Sequence, residues 1–183
     1  MGAVIGEILP LALGVAISPI PIIAAILMLL SPKARVTSVG FLLGWVLGIV
    51  VAVTIFTLLS AVLPQSSADG PNPVQGIIQL LLGVGLLLVA LRQWRKRPKA
   101  GEAPVLPKWM KAIDKVNFPL ALGLGFLLSA INPKNLLMAA AAGVDIGDAG
   151  LSVGSTVGVI AIYSLIAAST VLIPVVGYLI AAK

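Results

Sequence analysis

The stretch Pro10-Leu11-Ala12-Leu13-Gly14 decides the fold, because it returns 109 residues later as Pro119-Leu120-Ala121-Leu122-Gly123. A ladder of glycines four residues apart returns after 110 residues: Gly40, Gly44 and Gly48 are followed by Gly150, Gly154 and Gly158. Leucine, alanine and glycine are common here, so the pentapeptide alone carries little weight. Two matches in nearly one register indicate an internal repeat, and repeated membrane units are typical of transporters.

The composition indicates a protein embedded in a lipid bilayer. Hydrophobic residues make up 60% of the 183 residues, only 10% are charged, and the mean hydropathy is +1.15. A soluble globule needs more polar surface than this. Five apolar runs cover residues 4–30, 36–63, 74–91, 117–143 and 150–181, each near or above the roughly 20 residues of a membrane-crossing helix. We expect an all-α polytopic bundle of five spans, the last a single span that contains Pro174.

Basic residues predict the orientation. Lys33 and Arg35 follow the first run, and lysines and arginines crowd residues 92–116, whereas the loops at 64–73 and 144–149 contain aspartates and no basic residue. The positive-inside rule then predicts a multi-pass protein with its N-terminus outside and with loop 92–116 and Lys183 in the cytoplasm. The basic loop serves orientation alone or also attracts anionic lipids. It contains no recognisable nucleic-acid-binding module, so no nucleic-acid partner is expected.

The repeat predicts the domain organisation. Residues 1–91 form a first repeat of three helices, residues 92–116 a basic linker, and residues 117–183 a second repeat of two helices. An odd number of spans per copy turns the second copy over, which is inverted-repeat architecture. A counterpart of the third span would begin near residue 183 or 184, where the sequence stops. We expect a truncated chain that lacks its sixth helix; the alternative is a five-span protein completed by another subunit.

The glycine ladders predict close helix packing. Glycines four residues apart share one helix face, and they let a second helix approach closely where little hydrophobic force drives helices together. We expect spans two and five to pack through the faces formed by Gly40, Gly44, Gly48, Gly150, Gly154 and Gly158. The same motif also serves homodimers, and that alternative stays open.

Prolines interrupt two of the runs at similar depth. Run one contains Ser18-Pro19-Ile20-Pro21, and run four contains Asn132-Pro133-Lys134. A proline removes a backbone donor and displaces a carbonyl, and hydrocarbon cannot replace the lost bond. Each break is either a kink repaired by neighbouring side chains or a discontinuous helix that builds a substrate site. Breaks in both halves favour a substrate site, formed by Ser18, Pro19, Pro21, Asn132, Pro133 and Lys134.

Lys134 is the basic residue that lies well inside a predicted span, and no Asp or Glu lies in a membrane interior to pair with it. An unpaired ammonium there costs at least ~2.5 kcal/mol on insertion scales. Its long side chain either extends to the interface or an outer carboxylate, or binds an anionic substrate group. In the second case Asn132 would supply further hydrogen bonds.

With Ser18-Pro19-Ile20-Pro21 and Asn132-Pro133-Lys134, the chain resembles the LysE superfamily of bacterial exporters, which have six spans in two inverted three-helix repeats. Within it, the chain looks most like the GAP/Sap group, the peptidoglycolipid- and sulfolipid-addressing proteins associated with moving envelope glycolipids in actinobacteria. The resemblance covers the whole chain and departs from the family in its missing final helix. The resemblance implies a protein of the bacterial inner (plasma) membrane that transports lipid.

The absence of certain residue types excludes several classes of function. The chain has no Cys and no His, which excludes thiol–disulfide electron transfer and a hydrolytic triad with His, and disfavours transition-metal transport. It also has no phosphate-binding loop for an ATP motor. We therefore expect neither an enzyme nor a cofactor.

The sequence predicts an exporter of a cell-envelope glycolipid or other anionic amphiphile, with membrane lipids as its partners. One alternative is an amino-acid or small-solute exporter of the same superfamily. Another is an accessory subunit that transports nothing itself and joins a lipid-export machinery through its glycine faces and basic loop.

Overall fold

The structure, a computed structural model, describes residues 1–62 and 116–181 and eight further helical positions between 77 and 95. Six helices account for most of these residues. The helices are α1 (Gly2–Ala16), α2 (Pro19–Leu29), α3 (Ala34–Val62), α4 (Phe118–Ala130), α5 (Pro133–Asp148) and α6 (Val153–Ala181). All six belong to a compact unit of residues 1–62 and 107–183, and residues 63–106 form a second unit. Apart from single positions, the predicted third span, the basic linker and Lys183 lie outside the described residues.

Two of the predicted spans are broken where their prolines occur. Helix α1 ends before Ile17, Ser18 is extended with φ −102° and ψ 109°, and Pro19 opens α2. Asn132 is also extended, between α4 and Pro133 at the start of α5. A proline disfavours helical backbone in the residue before it, yet its own fixed φ suits the first turn of a helix. The chain therefore bends by 54° between α1 and α2 and by 62° between α4 and α5.

The apolar helices are consistent with a membrane-embedded protein. Helices α3 and α6 are each 29 residues long and apolar enough to cross a bilayer. Each bent pair passes the same test when it is taken as one span, so the described part of the chain supplies two to four spans. The run predicted as a single span at 150–181 is one helix, α6, with Pro174 inside it.

Glycines let α3 and α4 pack with their backbones in contact. A Cβ atom at Gly44 would overlap the backbone of Leu122, and one at Gly125 would overlap the backbone of Phe41. The other two glycines of this ladder, Gly40 and Gly48, are also closely covered by α4. The ladder on span two therefore contacts α4, the first member of the second bent pair, and α3 also contacts α6, the helix of span five.

The far half of α3 packs in the same way against α5. A Cβ atom at Gly143 would lie 2.5 Å from Cβ of Phe56, and one at Gly147 would lie 2.7 Å from Cβ of Ser60. The hydroxyl group of Ser60 donates a hydrogen bond to the carboxylate of Asp148. Helix α3 thus contacts both members of the second bent pair and holds them along its length.

The second glycine ladder has a different environment. Gly150 follows the end of α5 with φ +59°, a left-handed conformation that glycine adopts without a Cβ penalty. No described atom lies within 4 Å of a Cβ built at Gly154, and the nearest one to Gly158 is Cε of Met1 at 3.5 Å. Over the described ranges, this ladder supplies a helix terminus and no backbone-to-backbone helix contact.

The two halves pack reciprocally. Helix α3 contacts the bent pair of the second half, and α6 contacts α1 and α2, the bent pair of the first. One core cluster includes Ile8 and Ala12 of α1 together with Tyr163, Ala167 and Val171 of α6. Helix α1 also contacts α5, which brings the two bent pairs together.

Candidate functional site at the two helix breaks

We call Ile17–Ser18 the first break and Ile131–Asn132 the second break. The first break contacts the first turn of α5, which directly follows the second break. The hydroxyl group of Ser18 donates a hydrogen bond of 2.9 Å to Oδ1 of Asn135, and the two residues are 2% and 1% exposed. This bond joins residues that are 117 positions apart. The neighbouring pair, Ile17 and Lys134, has the same separation and is also hydrogen-bonded.

The carbonyl groups at the first break are bound by side chains from other helices. In a continuous helix the amides of residues 20 and 21 would donate to the carbonyls of Ala16 and Ile17. The break separates Ile20 from Ala16, and Pro21 has no N–H to donate to Ile17. Instead, Oγ1 of Thr170 lies 2.7 Å from the Ala16 carbonyl oxygen, and Nζ of Lys134 lies 3.0 Å from that of Ile17.

Lys134 lies between two helix ends of opposite polarity. Its backbone is in the first turn of α5, where the helix dipole disfavours a cation, and its ammonium reaches the C-terminal end of α1, where the dipole favours one. The side chain is partly buried, and its acceptor, the carbonyl of Ile17, belongs to a residue that is 67% exposed. No carboxylate pairs with Lys134 over the described ranges. Its formal charge is therefore not neutralised there.

Asn132 stabilises the second break by capping the helix that follows it. Its Oδ1 accepts a hydrogen bond of 3.1 Å from the backbone N–H of Lys134, so it caps α5. Asn132 therefore has a structural task in addition to the substrate contact predicted for it. The side chain of Ser18, by contrast, leaves its own helix α2 uncapped and donates to Asn135.

The predicted prolines lie at the starts of α2 and α5, the second helix of each bent pair. Pro19 and Pro133 occupy the first turns of α2 and α5, and Pro21 is buried one residue after Ile20. Because a proline has no N–H, Pro19 and Pro21 leave few unsatisfied donors at the start of α2. The groups at the first break that lose their helical partners are consequently carbonyl oxygens, which attract donors such as the ammonium of Lys134.

Two residues of the site were not predicted. Asn135 bridges the second break and also joins it to the first: its amide nitrogen donates to the Leu128 carbonyl of α4 at 3.0 Å, and its oxygen accepts from Ser18. A buried Asn directly after Asn132-Pro133-Lys134 was a visible signal, because an amide inside an apolar run needs polar partners. Thr170 gave no such signal: threonine is common in membrane helices, where its hydroxyl can bond within its own helix.

A family model for Sap, sulfolipid-1-addressing protein, matches residues 8–183. The chain belongs to the Sap family. The matched range includes both breaks, Lys134, Asn135 and Thr170, so the whole site of this Sap-family chain lies inside it. No curated protein and no solved structure matches the chain.

Proposed function

We propose that this Sap-family chain is a membrane transporter that exports an anionic amphiphile of the cell envelope, in particular a sulfated glycolipid, and binds it where the two helix breaks meet. The observation that carries the proposal is the ammonium of Lys134, which lies 3.0 Å from the Ile17 carbonyl at the junction of both breaks. The family name refers to the addressing of a sulfolipid, which is an anionic amphiphile.

The charge of Lys134 supports a binding role. An intramembrane cation costs at least ~2.5 kcal/mol on insertion scales, and such residues commonly mark substrate pathways. The Ile17 carbonyl satisfies one donor of the ammonium, but a neutral oxygen does not compensate its charge. A sulfate or phosphate group would do so. Breaks between half-helices are also where membrane transporters bind anionic groups.

The helix packing supports a structure built from two related halves. The long helix of each half packs against the bent pair of the other half, as two inverted copies related by a pseudo-two-fold axis would do. We therefore propose inverted-repeat architecture of the LysE-superfamily type, with the N-terminus outside and loop 92–116 in the cytoplasm. We further propose that the chain works without a cofactor and catalyses no reaction, and that its partners are membrane lipids, a second copy or other lipid-export proteins.

The test is transport by the purified protein in liposomes, measured as the movement of a labelled sulfated glycolipid between leaflets. Lys134→Ala should lower the rate about tenfold or more, the factor that corresponds to 1.4 kcal/mol of lost charge pairing. Lys33→Ala is the matched control, because Lys33 is an exposed lysine in the turn between α2 and α3. Normal transport by a stably inserted Lys134→Ala protein would refute the proposed site.

Two other outcomes separate the alternatives. Transport of an amino acid or another small solute, but of no lipid, would indicate a solute exporter. If the wild-type protein moves neither lipid nor solute alone, the chain is an accessory subunit, and co-purification with a lipid-export machinery then becomes the decisive experiment.

A further inference from the structure

The exposed contact between the breaks has the form of a site that a ligand can enter. The Ile17 carbonyl is an acceptor and the Lys134 ammonium is a donor, and they satisfy each other at 3.0 Å. A ligand that separates them must offer an acceptor to the ammonium and a donor to the carbonyl. A headgroup with an anionic group next to hydroxyl groups offers both.

We propose that Lys134 exchanges the Ile17 carbonyl for the anionic group of a glycolipid, while a sugar hydroxyl of the same headgroup takes over the carbonyl. This inference rests on the proposed function and specifies its substrate class: a headgroup that combines one full negative charge with neighbouring hydroxyl donors. A lipid with only one of the two features would satisfy either the Lys134 ammonium or the Ile17 carbonyl, but not both.

Charge makes the exchange favourable. The bond from the Lys134 ammonium to the Ile17 carbonyl is already strengthened by the charge of its donor. An anionic acceptor adds the direct attraction between opposite charges, which a neutral carbonyl lacks. An anionic oxygen therefore competes for the ammonium better than the Ile17 carbonyl does, whereas a neutral sugar hydroxyl gives no such advantage. An anion beside Lys134 also lies near the first turn of α5, where the helix dipole favours negative charge.

The ligand needs a hydroxyl group because the exchange leaves the Ile17 carbonyl without a donor. Once Lys134 has moved, the carbonyl of Ile17 has no helical amide to bind, because Pro21 cannot donate. In a membrane an unsatisfied carbonyl is strongly unfavourable, because hydrocarbon offers it no donor. Ile17 is 67% exposed, so a ligand hydroxyl can reach this part of the break. The glycan of the headgroup thus satisfies a polar group that a simple anionic lipid would leave open.

The exchange changes one side of the junction only. The bond between Ser18 and Asn135 is buried, and the Ala16 carbonyl is bound by the Thr170 hydroxyl of α6. Neither depends on the Lys134 ammonium. We infer that the breaks separate on the exposed side of the junction, at Ile17 and Lys134, while the buried bond between Ser18 and Asn135 stays closed.

Binding to the full chain in nanodiscs of phosphatidylcholine tests the substrate class with three probes. Sulfated galactosylceramide has charge and hydroxyls, galactosylceramide has hydroxyls only, and phosphatidylmethanol has charge only. Wild-type protein should bind the sulfated probe about tenfold more tightly than either of the others. Lys134→Met should lose the preference for the sulfated over the unsulfated galactolipid, and the exposed Lys33→Met control should keep it.

A distance measurement tests the exchange itself. The chain has no cysteine, so spin labels at Ile20→Cys and Ile131→Cys, both exposed positions, report only on the two breaks. The sulfated probe should shift the label distance, and Lys134→Met should shift it without any lipid. Lys134→Gln replaces Lys134→Met if the latter does not insert, and Lys134→Arg should behave as wild type does.

The outcomes distinguish the two proposals. Lys134-dependent binding of the sulfated probe without any distance shift would overturn the exchange and leave the proposed site intact. Equal binding of the sulfated probe and phosphatidylmethanol would overturn the hydroxyl requirement. If no probe shows a preference that depends on Lys134, both the exchange and the proposed substrate site are wrong.

Discussion

The two helix breaks have almost the same local sequence, Ile17-Ser18-Pro19 and Ile131-Asn132-Pro133, but they satisfy their polar groups differently. At the second break, Asn132 caps its own helix by accepting from the N–H of Lys134, and Asn135 binds the Leu128 carbonyl. Both of these bonds lie within the second bent pair, and Asn135 additionally accepts from Ser18 of the first pair. At the first break, the side chains that bind it come from α5 and α6.

This difference indicates distinct mechanical roles for the two bent pairs. The second pair is satisfied internally and lies along α3, with glycine contacts on both α4 and α5. The first pair depends on three borrowed side chains, from Lys134, Asn135 and Thr170. We infer that the second break is the rigid part of the junction, whereas the first can change its partners. The predictions below test this contrast.

The largest effect is expected from a substitution that removes the support of the rigid pair. Gly44→Leu would place a side chain where the backbone of Leu122 lies, so α3 and α4 would have to separate. We expect loss of more than about 3 kcal/mol, since a backbone cannot yield as a flexible side chain does. The measurement is denaturation by SDS in mixed micelles. Gly154→Leu is the control, with no described atom within 4 Å, and an equal loss there would contradict the packing argument.

The next largest effect is expected at the residue that joins both breaks. Asn135→Ala removes the acceptor of Ser18 and the donor to Leu128, and both bonds involve buried groups. Leaving a buried polar group unsatisfied costs about 1–3 kcal/mol, so we expect a loss of about 2–4 kcal/mol. The double variant Ser18→Ala/Asn135→Ala should recover part of the loss, because it removes one of the orphaned groups. If the losses measured for Ser18→Ala and Asn135→Ala simply add in the double variant, the bond between Ser18 and Asn135 contributes nothing.

The sequence predicted the breaks because their causes are local. Prolines at 19 and 133 restrict their own φ and the conformation of the residue before them, and these restrictions need no tertiary information. Lys134 was identified for a similar reason, since a charge inside an apolar run is conspicuous whatever surrounds it. The structure brings both features to one place.

The partners of these residues could not be predicted, because they depend on how far each pair bends and on which helices then meet. The acceptor of Lys134 is a backbone carbonyl 117 positions away, and a backbone oxygen leaves no mark in the sequence. The glycine ladder at Gly40, Gly44 and Gly48 predicted a close contact but not its partner, since any helix can approach a glycine face. Gly150 shows that the four-residue spacing does not always indicate helix packing, because this glycine follows the end of a helix.

A moderate effect is expected from Thr170→Val, which keeps the shape of the side chain and removes the hydroxyl that binds the Ala16 carbonyl at 2.7 Å. The carbonyl would lose its partner at the first break, and we expect a loss of about 1–2 kcal/mol in the same denaturation experiment. Thr156→Val is the matched control, because the hydroxyl of Thr156 binds the carbonyl of Ser152 in its own exposed turn. Equal losses in the two variants would argue that α6 does not support the first break.

The smallest effect is expected from Asn132→Ala, which removes the cap of α5 and leaves the N–H of Lys134 without its side-chain acceptor. Loss of an N-cap costs typically about 1 kcal/mol, and Asn132→Ser should retain most of the stability because a hydroxyl oxygen can also cap. If the second break is satisfied within its own pair, the preference of Asn132→Ala for sulfated over unsulfated galactolipid should match that of the wild type, although the protein is less stable. A variant with normal stability and altered lipid preference would show instead that Asn132 contacts the ligand, and the two breaks would then share the work of binding.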